Sequence, residues 1–359
     1  MKKLIIVFLI VLSILPIFSH ALDYSAKSYI VMEMNSGRVI YGKDIHKKRL
    51  IASITKIMTA IIAVESGKMD DIVKVDDIIF EAYGSNIYIE INEEIALRDL
   101  VYGLMLRSGN DAALVIGKYV SGSVDKFVEA MNSKAKEIGM ENTIFANPHG
   151  LDEKTKNYST AYDMAILTSY ANKSNDFKMI SGSKKHTAKS NLKTYVWTNK
   201  NKLLSSYKYT TGGKTGFTDE ARRTLVTTAS KNNLDTVVVT LDDPNDWNSH
   251  KSLHEYTFNN YKNYKIIDSA SFKVFNDTFY IDRLVIESDF YYPLKKDEIN
   301  QLETKVTLEK KYNYRDKEKV GSLDIMLGDQ IIGSKDIFIS MKKEKKLNFF
   351  DKLKRFLNL

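Results

Sequence analysis

Cysteine is absent from the 359 residues, which excludes disulfides, thiolate nucleophiles and cysteine metal sites together. The fold must be held by its core. Histidine is scarce as well: there are six and no HExxH motif, so no metal ligand set and no cofactor is expected. Internal repeats and low-complexity linkers are missing. Net charge of one sign is also missing from the body of the chain. The formal charge is +8, but residues 1–21 carry two lysines and no acid, and residues 341–359 carry six lysines and one arginine against Glu344 and Asp351, which leaves +1 for the rest. Basic character therefore belongs to the two ends and argues against a nucleic-acid partner.

Each end has its own pattern. Lys2 and Lys3 precede an apolar run, Leu4 to Phe18, broken by Pro16 and followed by Ser19-His20-Ala21. This reads as an export signal cleaved after Ala21, because the run is shorter than the roughly 20 residues that span a bilayer. An uncleaved anchor is the alternative. At the other end Phe349, Phe350, Leu353, Phe356 and Leu357 share one arc of a helical wheel, with Lys352 and Arg355 away from it and Lys354 at its margin. The pattern predicts an amphipathic helix lying on an anionic membrane surface, or alternatively a terminal helix packed on its own domain.

Between the ends, Tyr29–Met34 and Val39–Tyr41 flank Asn35-Ser-Gly37, the signature of a hairpin. Helical periodicity follows over Ala52–Glu65, Leu97–Leu106, Asp111–Val120, Phe127–Ile138 and Thr160–Ala171, with Ser159 or Thr160 as the cap of the last. Strand character returns at Tyr195–Trp197, Gly213–Phe217, Thr224–Ser230 and Leu234–Leu241, and a helix over Asn248–Tyr261 closes the unit. This order predicts an α+β fold: an antiparallel sheet made from both ends of a domain, with helices inserted between. After Tyr264 the chain turns to short β-favouring stretches, Phe272–Phe275, Leu284–Ile286, Lys305–Leu308 and Ile337–Ile339, which predict a small all-β domain.

Three motifs carry chemistry: Ser53-Ile-Thr-Lys56, Ser108-Gly-Asn110 and Lys214-Thr-Gly216. A serine hydroxyl needs a base as it attacks, and residues three apart share a helix face, so Lys56 lies beside Ser53. Burial and a second cation, Lys214, would depress the lysine pKa into a useful range. S-x-x-K alone is common, recurring at Ser133, Ser181, Ser190 and Ser205, but only Ser53 opens a buried apolar helix. Ser108 and Asn110 sit between two helices, where capping is the plainer reading; Ser108 offers a proton relay and Asn110 an amide for substrate or Lys56. Gly216 permits close approach of a substrate strand to Thr215, Gly216 and Phe217.

The motif set, its order, the intervening Asn147-Pro-His-Gly-Leu151 and the first hairpin resemble the low-molecular-mass penicillin-binding proteins, specifically the serine-type D-Ala-D-Ala carboxypeptidases. The resemblance implies a β-lactamase/transpeptidase-like catalytic domain over 22–262, an all-β domain over 263–340 and a basic anchor helix over 341–359, after a signal at 1–21. It implies that Ser53 is acylated by a peptidoglycan stem peptide ending in D-Ala-D-Ala, with Lys56 as base and Ser108 and Lys214 assisting proton transfer and carboxylate binding. The N–H groups of Ser53 and Phe217 would form the oxyanion hole, and β-lactams would acylate the same serine. The expected place is the outer face of the cytoplasmic membrane or the wall. Two departures stand out: Ala221-Arg222 where the family continues Ala-Gly, and Asp246-Trp247 where an arginine often precedes an aromatic residue. The expectation is that Arg222 or Arg223 supplies the missing charge to the substrate carboxylate. Two other functions compete: a class A-like β-lactamase, for which Glu153 and Asn157 give a loose match to the deacylating element, and a non-catalytic wall-binding homologue.

Overall fold

The computed structural model describes residues 24–275 and 277–341. The expected signal segment and, Met341 apart, the helix expected over 341–359 lie outside the described residues.

One sheet is assembled from both ends of the larger unit. β1 (Ser28–Glu33) and β2 (Val39–Lys43) form the expected hairpin. Its turn is organised by the buried Glu33 carboxylate, which accepts from Ser36 N at 2.7 Å and Ser36 Oγ at 2.6 Å. β3 (Thr210–Thr218), β4 (Arg222–Lys231) and β5 (Leu234–Leu241) arrive some 170 residues later and complete an antiparallel sheet in the order β2-β1-β5-β4-β3. Val237, Val238, Val239 and Leu241 on β5 are fully buried, as befits the central strand of a sheet covered on both faces. β3 is the edge, so one row of its backbone groups faces away from the sheet.

Helices cover the two faces. On one lie α1 (Lys56–Glu65), α2 (Leu97–Arg107), α3 (Asn110–Ser121), α4 (Val124–Glu137), α5 (Ala161–Ala171) and α6 (Asn175–Gly182), and, after the short α7 (Leu203–Ser206), α8 (Asp246–Asn260) covers the other. α1 is buried nearly all round: Ile57, Met58, Ala60, Ile61 and Ala63 are each at most 1% exposed, so its position is fixed by apolar packing on every side. Thr160 caps α5 by accepting from Asp163 N at 3.0 Å.

The second unit is all β. β6 (Lys262–Ile267) pairs with β8 (Phe290–Leu294), and β7 (Leu284–Val285), β9 (Leu302–Leu308), β10 (Lys319–Leu327) and β11 (Gln330–Ile339) form a sheet in the order β7-β11-β10-β9. Its core is separate, built on Tyr280, Leu284, Ile286, Val320, Leu323, Ile337 and Ile339. Phe272–Phe275, expected as a strand, is not one: it pairs with nothing in either sheet, and Phe275 is exposed. Among the described residues no helix is long and apolar enough to cross a membrane.

Candidate active site

The chain enters α1 through a strained corner. Ala52 is buried yet takes φ +48°, a left-handed conformation disfavoured for any residue with a Cβ. One turn of 3-10 helix, Ala52–Thr55, then presents Ser53 half-buried while Ala52, Ile54, Thr55 and Lys56 around it are buried. The loop Asn147–Leu151 supports this corner from behind. Asn157 donates to Thr55 Oγ1 at 3.0 Å and to Asn147 O at 3.0 Å, and Asn147 Oδ1 accepts from Gly150 N at 2.6 Å. Gly150 has φ +88°, and a Cβ there would stand 2.0 Å from Ala52 O, so only glycine lets the loop seat against the nucleophile turn.

Lys56 has three neighbours. Its Nζ lies 3.0 Å from Ser53 Oγ, 2.7 Å from Asn110 Oδ1 and 2.5 Å from His149 O. The Asn110 amide is oriented by its other end, because Nδ2 donates to Tyr83 O at 2.6 Å and a carbonyl can only accept. Asn110 Oδ1 and His149 O are therefore both obligate acceptors. A neutral Lys56 directs its two N–H bonds at them and keeps its lone pair for the Ser53 hydroxyl. Burial, then the charges of Lys214 and Lys200, hold its pKa well below the ordinary lysine value, against a smaller opposing pull from Asp111.

A second serine–lysine pair completes the cluster. Ser108 ends α2 at φ +68°, again left-handed without being glycine, and its Oγ accepts from Lys214 Nζ at 3.1 Å. Lys214 also donates to Thr215 O at 2.7 Å, and burial followed by the charge of Lys200 lowers its pKa to about 7. Lys214 and Gly216 project from the edge strand β3 toward the Ser53 turn; a Cβ on Gly216 would be 3.0 Å from Ser53 N, so glycine allows the edge to lie against the nucleophile. Thr215 is half-buried, and Phe217 is exposed where the strand leaves the site. Asp111 stiffens the facing wall by accepting from Ile87 N at 3.0 Å and Tyr88 N at 2.8 Å.

Sequence reasoning missed two contributors. Lys200 sits at the rim, donates to Ser85 Oγ at 3.3 Å, and depresses the pKa of both buried lysines; no local pattern marks it. The carbonyl of His149 is the other. Its ring accepts from Leu151 N at 3.1 Å, and burial, then the charge of Lys56, lowers its pKa to about 3, so it stays neutral beside the site.

Arg223 does not lie where the sequence reading expected it. Thr224 donates to Ile51 O at 3.0 Å and so faces the nucleophile turn, which by strand alternation sends Arg223 to the other face of the sheet. There it grips Asp246 at the start of α8 from two sides, Nη2 to Oδ1 at 2.7 Å and Nε to Oδ2 at 3.1 Å, so its charge is already matched. One of the two departures from the family pattern, Asp246, is thus the partner of Arg223. Arg222 is exposed as the first residue of β4, at φ +58° and paired with Thr218. Glu153 is exposed too, and Asn157 is engaged in bracing Asn147 and Thr55, which leaves the β-lactamase element without its geometry. Among the described residues no group of three or more His, Asp or Glu could hold a metal ion.

Comparison with known proteins finds one family along most of the chain. The family described as D-alanyl-D-alanine carboxypeptidase matches residues 17–245, and the C-terminal domain of penicillin-binding protein 5 matches residues 271–346. The D-alanyl-D-alanine carboxypeptidase DacF of Bacillus subtilis is 37% identical over 224 residues, covering 61% of this chain and 57% of that protein. DacA of Haemophilus influenzae is 30% identical over 264 residues, 68% of this chain and 65% of its own length, so the chain spans less than two thirds of either. The crystal structure of penicillin binding protein 5 from H. influenzae superposes with a TM-score of 0.75 at 26% identity, over 89% of this chain and 97% of that one.

Proposed function

The chain belongs to the D-alanyl-D-alanine carboxypeptidase family, and from that premise we propose that it is a serine-type D-Ala-D-Ala carboxypeptidase of peptidoglycan stem peptides. The observation that carries this reading is the Lys56 amine, set between two obligate acceptors with its remaining valence toward Ser53 Oγ at 3.0 Å. In the reaction a substrate strand lies along Lys214–Phe217. Ser53 Oγ attacks the carbonyl of the penultimate D-Ala while its proton passes to Lys56 Nζ. The N–H groups of Ser53 and Phe217 receive the developing oxyanion. The departing D-Ala amine takes a proton from Ser108 Oγ, replenished from Lys214 Nζ; Lys56 then loses the Ser53 proton and Lys214 regains one by exchange with solvent, and water hydrolyses the ester with neutral Lys56 as base, that proton returning to Ser53 Oγ. Lys214 and Thr215 are assigned to the substrate carboxylate, and Asn110 to positioning Lys56. Arg222 is a weaker candidate for that carboxylate, and Arg223, matched to Asp246, weaker still. β-Lactams, which mimic the D-Ala-D-Ala end, acylate the same serine.

The domain reading is a catalytic unit over 22–262 and a β domain over 263–340, with an export signal at 1–21 and a basic membrane-contacting segment at 341–359. It places the enzyme outside the cytoplasmic membrane, facing the wall. A fluorescent penicillin tests the chemistry. The parent is expected to form a long-lived covalent adduct and to release D-Ala from an acyl-D-Ala-D-Ala peptide. Ser53→Ala should lose both, and Lys56→Gln should slow acylation by about 10²–10⁴-fold. Rapid penicillin turnover, or labelling that survives Ser53→Ala, would overturn the assignment.

A further inference from the structure

The far end of the β domain carries a surface that the catalytic reading leaves unused. The last described residue, Met341, is held there by its N–H to Asp316 Oδ1 at 2.7 Å, and Ser340 N donates to Arg283 O at 2.7 Å. The loops around this exit form an open depression of about 1000 Å³, lined by Arg283, Tyr312, Tyr314, Arg315, Lys317 and Met341 among others. Arg283 donates to Tyr314 Oη at 2.8 Å, which joins the residue preceding β7 to the 312–316 loop. Large side chains project from this end into water: Tyr312 is 83% exposed, Ile281 67% and Met341 56%. The nearby core is closed without them. Charge at the exit leans positive, with Arg283, Arg315 and Lys317 against Asp316 and Glu318. Asp316 is occupied by the Met341 N–H, and Glu318 by Lys311 Nζ at 3.1 Å and Arg315 N at 2.9 Å. Among the described residues Arg315 and Lys317 have no side-chain ion pair.

We propose that this end of the β domain is a docking surface for an anionic lipid bilayer, seated beside the point where the basic segment 342–359 leaves the domain. It rests on the reading of that segment as a membrane contact. The segment itself is a poor occupant, because it and the free cations of the surface have the same sign and repel; what attracts both is an anionic plane. Tyr312, apolar along its ring and polar at its tip, suits the headgroup boundary. Two contacts on one body act together, so a surface too weak to bind alone still multiplies the residence of the whole chain.

Co-sedimentation of the full mature chain with phosphatidylcholine vesicles, with and without phosphatidylglycerol, tests this. Each cation near an anionic surface is worth about fivefold in partitioning, so Arg315→Glu with Lys317→Glu should weaken binding to the anionic vesicles at least tenfold. Tyr312→Ser should weaken it in the same direction, and both variants should keep the parent rate of penicillin labelling, which reports an intact fold. Unchanged partitioning of the charge-reversed variant, while the parent binds, overturns the docking surface and leaves the reading of 342–359 standing. No binding by the parent, or equal binding to neutral vesicles, overturns both. If removal of 342–359 exposes Tyr312 to hydroxyl-radical labelling in the absence of vesicles, the chain's own end covers the surface and the proposal fails.

Discussion

At the scale of single residues the site is a problem in keeping amines uncharged. Lys56 and Lys214 are both buried, and each raises the cost of charging its neighbour, with Lys200 adding to the field from the rim. That third amine is the one to remove, because it touches neither Ser53 nor Ser108 in the hydrogen-bond network yet biases both pairs. Lys200→Gln deletes a positive charge, so the pKa of Lys56 and of Lys214 must rise. The base is then protonated at higher pH, and the acid limb of kcat/KM for a D-Ala-D-Ala peptide is expected to move to higher pH with little loss at the alkaline plateau. A pH–rate profile of the variant against the parent checks this; an acid limb that stays in place would mean that Lys200 is screened by solvent and sets nothing. The strained φ at Ala52 and Ser108 belongs to the same scale. Two residues with side chains adopt the left-handed region directly beside the two serines, a cost of order 1–3 kcal/mol each that the surrounding loops must offset.

At the scale of elements, what could be read from the chain depended on whether an element's role is local. The hairpin β1–β2, the helices α1 to α5 and the strands β4 and β5 announce themselves because apolar spacing and turn residues fix them within a few positions. α6 and the strand Lys185–Lys189 give no such signal: the strand buries only Ala188, and its pairing with Thr194–Thr198 is what makes it a strand. The motif residues were legible as types, but Asn110 on Lys56 and Arg223 on Asp246 are contacts across 54 and 23 positions that no spacing rule contains. The same holds for the histidines. His250 and His254, four positions apart and so on one face of α8, form one buried network whose partners lie on the sheet. Thr236 donates to Ala229 O and so accepts from His254 Nδ1 at 2.8 Å; Thr227 then donates to His254 Nε2 at 2.9 Å and accepts from His250 Nδ1 at 2.7 Å, and Thr240 donates to His250 Nε2 at 3.0 Å. Every partner is satisfied with both rings neutral, and an added proton sets donor against donor. Burial holds His254 to about 3 and His250 well below 6.5, while the unfolded chain takes up protons from about 6.5 downward. The unfolded state thus binds more protons between those limits, and stability must fall as pH is lowered through that window, by up to about 1.4 kcal/mol per pH unit for each group. Thermal melts from pH 6.5 to 5, above most carboxylate titration, should show a falling midpoint that His254→Gln flattens; a slope shared equally by parent and variant would remove this network as its cause.

At the scale of the whole molecule, the question is what makes two cores behave as one body. A single guanidinium does much of it. Arg38 leaves the first hairpin of the catalytic unit, donates to Pro293 O at 2.5 Å on β8, and meets Glu298 through Nη1 at 3.0 Å and Nη2 at 2.5 Å. Its plane also lies 5.2 Å from the ring centroids of both Tyr261 and Tyr292. Glu298 in turn accepts from Lys295 N at 2.8 Å, which fixes the turn entering β9. The pair is largely screened from water, with side-chain exposures of 14% and 18%, so removing one partner leaves the other partly desolvated and unpaired. Because Arg38 sits at the hairpin end of the sheet and Ser53 packs against the edge strand through Gly216, loss of Arg38 should not reach the chemistry. Arg38→Ala is therefore expected to leave the rate of penicillin labelling at Ser53 unchanged while costing about 2–4 kcal/mol of coupling between the units. Calorimetry should then resolve two unfolding transitions where the parent gives one, and small-angle scattering should show a larger radius of gyration. A single transition at the parent midpoint, with unchanged scattering, would mean that the strand pairing of β6 with β8 holds the two units together without this clamp.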